Sequence, residues 1–313
     1  MTNSSRDAVR NVRAFTLLVC SVLAAGVTAP ALAASEANLQ RYAEAVDYLD
    51  RWRGERQALD AAHERLTELL IDEPEFAPAH VEMARWYLMN SRNYPAALRS
   101  LERAEALDPD FPGTFVLRGY IFERQERLDE ALVALDRAEA IGTDNPWLPL
   151  NRAAVYEKQG RTADALALYE SVFVSHRDDP KAWPSAKVGL IELHQRSGDL
   201  DAVESIFLRA SAMNTDDASD AIDYVEWLGN RGRFDEALAM AREARKRWRD
   251  ARLAHQLIGL QFARATLMLA TDRDGARLAH GEAAALAAEL GIPVEADFDA
   301  WIGQLQREDA GAR

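Results

Sequence analysis

Few residues in this sequence are spaced in the way that catalysis or metal binding requires. His280 and Glu282 form a His-x-Glu pair, which begins the metal site of zinc deaminases, but no cysteine pair completes it. We interpret this segment as a polar turn or a helix start. The sequence also lacks a Gly-x-Ser-x-Gly elbow, a phosphate-binding glycine loop with lysine, and paired histidines at helical spacing. These absences predict a protein that is not an enzyme and holds no cofactor and no metal, although a site built from scattered acids stays open.

A second cluster carries side chains that could hold a hard cation. Asn214, Asp216, Asp217 and Asp220 crowd one segment, and calcium prefers such oxygen ligands. The glycine and the distal glutamate of a calcium-binding loop are missing here. Asn and Asp also form turns by hydrogen bonding to nearby backbone groups. We therefore favour turn formation and helix capping over metal binding for this segment.

Small residues recur through most of the chain at steps of 34, 34, 38 and 34 residues: Ala97, Ala131, Ala165, Val203 and Ala237. Before each of them, at a nearly constant distance, lies another small or medium-sized residue that is followed by a bulky one, as in Gly119 and Phe122. Small residues beside large ones allow two helices to pack closely, and the apolar residues recur at helical intervals. Each unit is therefore predicted to be a pair of helices stacked on its neighbours.

Turn residues separate the two predicted helices of a unit. Glycine lies in three of these segments, at Gly160, Gly198 and Gly232. Polar residues follow where the second helix should begin, and we expect them to cap it: Asp129, Thr162 and Asp235.

The repeat resembles that of the tetratricopeptide repeat family, in which an aromatic residue, Leu-Gly, Tyr, Ala, Phe and Pro stand at set offsets. The matching residues of two units are Met83, Ala84, Tyr87, Ala97, Leu101, Ala104 and Pro109, and then Phe115, Gly119, Phe122, Ala131, Leu135 and Ala138. The resemblance implies an all-α fold, a right-handed α-solenoid of tandem antiparallel helix pairs. We expect about six to seven pairs over residues 35–290, and a C-terminal capping helix and tail over residues 291–313.

The same resemblance implies a ligand groove that the first helix of each unit lines. The ninth and thirteenth positions of that helix face the groove in this family, and here they include Arg85, Tyr120 and Glu192, and Arg124, Lys158 and Arg196. Trp147 and Leu150 add apolar surface beside them. We call Arg124, Lys158 and Arg196 the basic row, which would attract an acidic segment. Cations near a helix C-terminus also interact favourably with the helix dipole, so this effect explains the presence of the basic row as well as ligand binding does.

A further basic patch lies around Trp248: Arg242, Arg245, Lys246, Arg247, Arg249 and Arg252. It could contact an acidic partner or an anionic glycan. We favour a simpler interpretation, in which it is the solvated C-terminal end of a helix.

The first residues of the chain predict export. Arg6, Arg10 and Arg13 precede an apolar run over residues 14–28, and Ala31-Leu32-Ala33 then provides the small residues that a signal peptidase recognises. The run is shorter than the ~20 residues that span a bilayer, which disfavours an uncleaved anchor. Val19 before Cys20 disfavours a lipoprotein. We predict a signal peptide over residues 1–33 and a periplasmic protein, with no membrane span after cleavage.

Charge and composition then limit the partners. Residues 1–33 hold three arginines, one aspartate and the only cysteine, so their removal changes the formal net charge from −14 to −16 and excludes disulfides. An acidic surface disfavours nucleic acid and anionic lipid. The sequence thus favours an exported scaffold that binds a protein segment or peptide in an envelope assembly. The alternative is an accessory protein of polysaccharide export or cell-wall synthesis that contacts glycan.

The export hypothesis makes a direct prediction. The mature protein should begin at Ala34, or within a residue or two of it, and should be found in a soluble envelope fraction. Intact-mass measurement of the protein purified from its host checks this. A protein that retains Met1, or one that carries lipid on Cys20, would show that the hypothesis is wrong.

Overall fold

The computed structural model describes residues 35–214 and 216–311, and all regular secondary structure in these ranges is α-helical. The signal peptide predicted for residues 1–33 lies outside the described residues. The fifteen helices of the described ranges are α1 (Glu36–Arg51), α2 (Arg56–Asp72), α3 (Ala77–Ser91), α4 (Tyr94–Leu107), α5 (Pro112–Arg124), α6 (Leu128–Ile141), α7 (Trp147–Lys158), α8 (Thr162–Ser175), α9 (Ala182–Ser197), α10 (Leu200–Met213), α11 (Ser219–Asn230), α12 (Phe234–Arg247), α13 (Ala251–Met268), α14 (Arg273–Glu289) and α15 (Phe298–Gly311).

These helices form an all-α solenoid of helix pairs, as the sequence predicts. The chain divides into two compact units, one ending at Arg196 and the other beginning at Ser197. In the first unit α1 to α8 make four helix pairs, and the first helices of neighbouring pairs contact each other, α1 with α3, α3 with α5, and α5 with α7. Stacking of this kind buries apolar surface that a single pair would leave exposed.

The small residues of the repeat lie where two helices of a pair meet. Ala97, Ala131 and Ala165 are fully buried, each in the second helix of its pair. Gly119 in α5 lies directly against the Leu135 side chain of α6, so closely that a Cβ atom there would overlap it. The predicted register of the helix pairs is therefore confirmed in the first unit.

The predicted capping of the second helices was wrong. The N-cap residues of α6, α8 and α12 are Arg127, Arg161 and Arg233, and none of them makes a side-chain capping hydrogen bond. Asp129, Thr162 and Asp235 lie one or two residues further on, inside the first turn. There the acidic side chains can still interact favourably with the positive end of the helix dipole.

Each of the three N-cap arginines instead makes the same two contacts. The guanidinium lies over an aromatic ring of the preceding helix, at 4.2 Å from Phe122, 3.7 Å from Tyr156 and 5.8 Å from Trp227. It also pairs with the acid three residues ahead, which is Glu130, Asp164 or Glu236. This contact joins the two helices of a pair across the turn.

In the second unit, α11 pairs with α12 and α13 pairs with α14, and α15 packs on the last pair. Phe298 and Trp301 of α15 are buried there beside Ala265, Ala276 and Ala279. His280 lies within α14 and is 1% exposed, so its interpretation as a polar turn or helix start was wrong. Its ring centroid is 4.8 Å from that of Trp301, and its Nε2 is 3.0 Å from the Glu295 carbonyl oxygen. These contacts assign His280 to the core.

Within the described ranges, no helix has both the length and the apolar composition that crossing a membrane would require.

The close approach at Gly119 yields a stability prediction. An added Cβ would lie 2.6 Å from Leu135 Cγ and 3.3 Å from the Ala131 carbonyl oxygen, and Leu135 is fully buried. We expect Gly119→Ala to lower the free energy of unfolding by about 1–3 kcal/mol, measured by denaturant unfolding.

The matched control is Gly259→Ala, in the interior of α13, where no atom lies within 4 Å of the added Cβ. This variant should be neutral or raise the free energy of unfolding by up to ~1 kcal/mol, because alanine favours helix. Equal effects of the two substitutions would contradict the packing described for α5 and α6.

Candidate functional site

The eight residues that the sequence places in a groove fall into two groups of four. Arg85, Tyr120, Trp147 and Leu150 are buried, with exposed fractions between 1% and 4%. Arg124, Lys158, Glu192 and Arg196 are exposed and lie toward the C-terminal ends of α5, α7 and α9. Only the second group can contact a ligand without a rearrangement of the core. The ligand-binding role of all eight stays a prediction.

Arg85 uses its charge inside the protein. Its Nη1 lies 2.5 Å from Glu82 Oε2 in the same helix, and its Nη2 lies 2.7 Å from Asp50 Oδ1 of α1. Lys181, in the turn before α9, donates to the Asp50 backbone carbonyl and lies 3.7 Å from the Asp50 carboxylate. Asp50 therefore joins α1 both to the neighbouring first helix α3 and to the segment that leads into α9.

Glu82 is the most deeply buried acid of this cluster, because it has no solvent-exposed surface. Burial raises its pKa from 4.5 to about 7, and the nearby Arg85 guanidinium opposes that rise. Burial likewise raises the pKa of the adjacent Tyr42 hydroxyl well above its ordinary value. The contribution of this cluster to the free energy of unfolding therefore depends on pH.

The aromatic side chains expected at the groove are enclosed by packing. Tyr120 and Trp147 are each 3% exposed, and burial raises the pKa of the Tyr120 hydroxyl. Trp248, which belongs to the basic patch and not to the groove, is half-buried, and the Arg247 guanidinium covers its ring at 4.5 Å. A sugar ring needs an open aromatic face on which to stack. Tyr120 and Trp147 offer none, and Arg247 already covers a face of Trp248.

Lys158 of the basic row is tied to the preceding helix pair. Its Nζ lies 2.8 Å from Glu123 Oε1 and 2.7 Å from Glu126 Oε1, and it also donates to the Glu123 carbonyl oxygen at 2.9 Å. Burial opposes the charge on Lys158, but the hydrogen bonds to Glu123 and Glu126 raise its pKa on balance. Its positive charge is therefore largely compensated by the protein itself.

Arg196 makes an equivalent contact one unit further along. Its guanidinium pairs with the Glu157 carboxylate, which also accepts a 2.6 Å hydrogen bond from the Tyr169 hydroxyl. The Arg196 side chain is 60% exposed, whereas that of Glu157 is 19% exposed. Arg196 therefore presents part of its guanidinium to solvent.

Arg124 at the end of α5 is the third member of the basic row and is exposed. Partial burial acts to lower its pKa, but the Glu123 carboxylate and the hydroxyls of Tyr120 and Tyr94 raise it on balance. Arg124 thus stays charged at every physiological pH. That it shares a ligand-binding surface with Lys158 and Arg196 stays a prediction.

Sequence reasoning missed the carboxylates that compensate these cations, although a signal was present. Asp50 precedes Arg85, and Glu123 precedes Lys158, by 35 residues, close to one repeat length. Residues separated by one repeat length occupy equivalent places on stacked helices and are therefore neighbours. Opposite charges that lie one repeat length apart in the sequence could therefore have predicted ion pairs between successive first helices.

The remaining polar clusters have structural contacts. The Asn214 amide nitrogen donates to Asp217, Ser219 and Asp220, and its Oδ1 accepts from the backbone of Asp216 and Asp217. These are the hydrogen bonds of turn formation. In the described part of the chain no three His, Cys, Asp or Glu side chains group closely enough to hold a metal ion.

Comparison with known protein families identifies the repeat. Two models described as tetratricopeptide repeat match this chain, one over residues 83–146 and the other over residues 123–187. Together they cover α4 to α8 and parts of the flanking helices. No curated protein matches the full sequence.

Solved structures show the same fold at low sequence identity. PilW, described as a widely conserved type IV pilus biogenesis factor, is 20% identical with a TM-score of 0.50, over 68% of this chain and 94% of its own. TTC0263, a thermophilic TPR protein of Thermus thermophilus, is 22% identical with a TM-score of 0.50, over 61% of this chain and 98% of its own. At this identity the likeness bears on the fold alone.

The buried Glu82 yields a pH prediction. Its folded-state pKa of about 7 exceeds its ordinary value of 4.5, so the folded protein keeps a proton that the unfolded chain releases. The Glu82 contribution to the free energy of unfolding therefore falls as pH rises from about 4.5 to about 7. Glu82→Gln removes this titrating group. Between pH 4.5 and 7 the free energy of unfolding of the variant should therefore fall less than that of the wild type, by an amount on the order of 3 kcal/mol.

Denaturant unfolding of both proteins across the window measures this difference. Glu64→Gln, at an exposed position of α2, is the matched control and should follow the wild-type curve. Parallel curves for wild type and Glu82→Gln would contradict the raised pKa.

Proposed function

We propose, from the premise that this chain is a tetratricopeptide repeat protein, that it is a non-enzymatic scaffold that binds an extended protein segment. The first helices of the first unit would form the binding surface, with contacts at the exposed ends of α5, α7 and α9. The proposal concerns exposed residues only: Arg124, Lys158, Glu192 and Arg196.

One observation carries the proposal. The first helices of successive pairs contact each other, and ion pairs fix α1 to α3, α5 to α7, and α7 to α9. Side chains at equivalent places on these helices therefore recur at a constant interval along one surface. An extended chain also repeats at a constant interval, so such a surface can contact it at several points without a change of the scaffold.

The charges of this surface suggest the type of segment. Lys158 is compensated by Glu123 and Glu126. Arg196 pairs with Glu157, but its side chain is 60% exposed, and Arg124 is also an exposed residue. Glu192 adds an exposed carboxylate on α9. We therefore expect a segment with separated acidic residues rather than a continuous acidic run.

Export to the periplasm is part of the same proposal. It is supported by the arginines and the apolar run of residues 6–28 and by Ala31-Leu32-Ala33. The partner would then be a protein of an envelope assembly. The structural likeness to PilW, at 20% identity, bears on the fold of this chain and not on its pathway.

Photo-crosslinking in the host cell tests the proposal. A photoreactive amino acid placed at Arg124 or Arg196 should give a discrete protein adduct that mass spectrometry identifies, because the partner lies on that surface. The matched controls are Val133 and Val174, which are 69% and 56% exposed on the second helices α6 and α8. These positions should give no such adduct.

The adduct formed from Arg196 should in addition decrease when Arg124 is replaced by Glu. Adducts from Val133 and Val174 alone, or no adduct from any of the four positions, would show that the proposed surface is wrong.

A further inference from the structure

The second unit contains an open pocket in which cations surround an apolar floor. The pocket has a volume of about 590 Å³ and lies between the end of α12, the start of α13 and the end of α14. The cations that line it are Arg242, Arg245, Lys246 and Arg249, and the carboxylates are Asp250 and Glu289. The floor consists of Ala251, Ala254, Leu257 and Leu290.

Two cations of the pocket pair with carboxylates outside its lining, Arg242 with Glu282 at 2.9 Å and Lys246 with Glu243 at 2.7 Å. All four side chains are exposed, so these pairs are solvated and weak, and an incoming anion can compete for their cations.

Asp250 caps α13 and binds Arg252, which does not line the pocket. Glu289 is 67% exposed and lies 3.4 Å from Arg245, so this is a long and solvated ion pair. Among the described residues, Arg249 is paired with no carboxylate. An incoming anion can therefore interact with Arg249, and with Arg245 by displacing Glu289.

The floor of the pocket offers an apolar contact beside this charge. Leu257 is 4% exposed, whereas Leu290 is 40% exposed and remains open to solvent. Covering exposed leucine surface contributes about 25 cal/mol for each Å² that is removed from water. A ligand that carries an apolar group next to an anion would satisfy both parts of the pocket.

We propose that this pocket binds a short acidic segment of a partner protein, with one apolar side chain on Leu257 and Leu290 and flanking carboxylates at Arg245, Lys246 and Arg249. Pockets of a few hundred Å³ with an apolar lining and a few polar groups are typical of specific binding sites. An inorganic anion or a sulfated glycan would leave the leucines uncovered. The strongly acidic character of the whole chain opposes its approach to an anionic membrane.

Complementary charge also explains why such a segment would choose this place. The chain has a formal net charge of −14, so an acidic peptide is repelled by most of its surface. The start of α13 adds the positive end of a helix dipole to the cations of the pocket. This site lies in the second unit and shares no residue with the surface proposed above for the first unit.

The test uses the mature full-length protein and a displayed library of random dodecapeptides. We expect selection to enrich peptides in which Leu, Ile or Phe is flanked by Asp or Glu. The affinity of a synthesised peptide from the enriched set should fall about tenfold or more in Arg249→Glu, which replaces attraction with repulsion. The affinity should also fall by several-fold in Leu290→Ser, because the floor loses apolar area.

Matched controls separate the pocket from general charge and surface effects. Arg247→Glu makes the same charge change two residues away, at an exposed residue that does not line the pocket. Leu278→Ser makes the same apolar-to-polar change at a leucine of α14 that is 67% exposed and outside the pocket. Both variants should bind like wild type.

Three results would overturn the proposal. These are a selection that enriches no acidic–apolar peptides, an affinity that is equal in Arg249→Glu and Arg247→Glu, or pocket-dependent binding of heparin or anionic vesicles while the peptides fail to bind. The library experiment leaves Arg124 and Arg196 unchanged, so its failure would not affect the crosslinking result for the first unit.

Discussion

Two helices can approach closely only where one of them presents little side chain, and the pairs α3–α4, α5–α6 and α7–α8 meet that condition with alanine or glycine. Gly119 allows Leu135 to lie directly against the α5 backbone, and the buried Ala131 occupies the same interface. Neighbouring pairs can then stack at a constant spacing. Every other contact between repeats, including the ion pairs of the first helices, depends on that spacing.

The repeat spacing also determines which charged residues form ion pairs between neighbouring first helices. When first helices stack, an acid near the end of one helix lies opposite a cation near the end of the next, as Glu123 lies opposite Lys158. The Glu123 side chain is only 5% exposed, so the loss of its partner would leave a nearly buried carboxylate uncompensated. These cations are therefore part of the scaffold as well as part of its surface, and a charge reversal at Lys158 would confound binding with stability.

Much of the fold was predictable because it follows from local periodicity. Helix pairs, their register and the buried small residues were all readable from residues such as Ala97 and Ala165, since a helix repeats its own pattern. The N-caps were misassigned because Arg127 and Arg161 occupy positions that polar residues with shorter side chains usually fill. Their aromatic and acidic partners were visible in the sequence, at a nearly constant offset.

The candidate site was less predictable, because the exposure of a side chain depends on which residues of other helices lie against it. Arg85 and Lys158 occupy corresponding helices, yet one is 1% exposed and the other lies at the surface. The pattern of α3 alone contains Glu82 but not Asp50 of α1, and both carboxylates pair with the buried Arg85. The pocket of the second unit is a similar case, since its floor and its cations come from three helices.

The contact between Lys181 and Asp50 has a consequence for cooperativity. These residues are 131 positions apart, so a contact between them encloses the helix pairs α3–α4, α5–α6 and α7–α8 in a loop of chain. A repeat array in which each unit touches only its neighbours can fray independently at either end. Here, opening of α1 also releases the segment before α9. Local unfolding at the two ends of the first unit is thereby coupled, and this part of the molecule departs from the one-dimensional behaviour of a simple array.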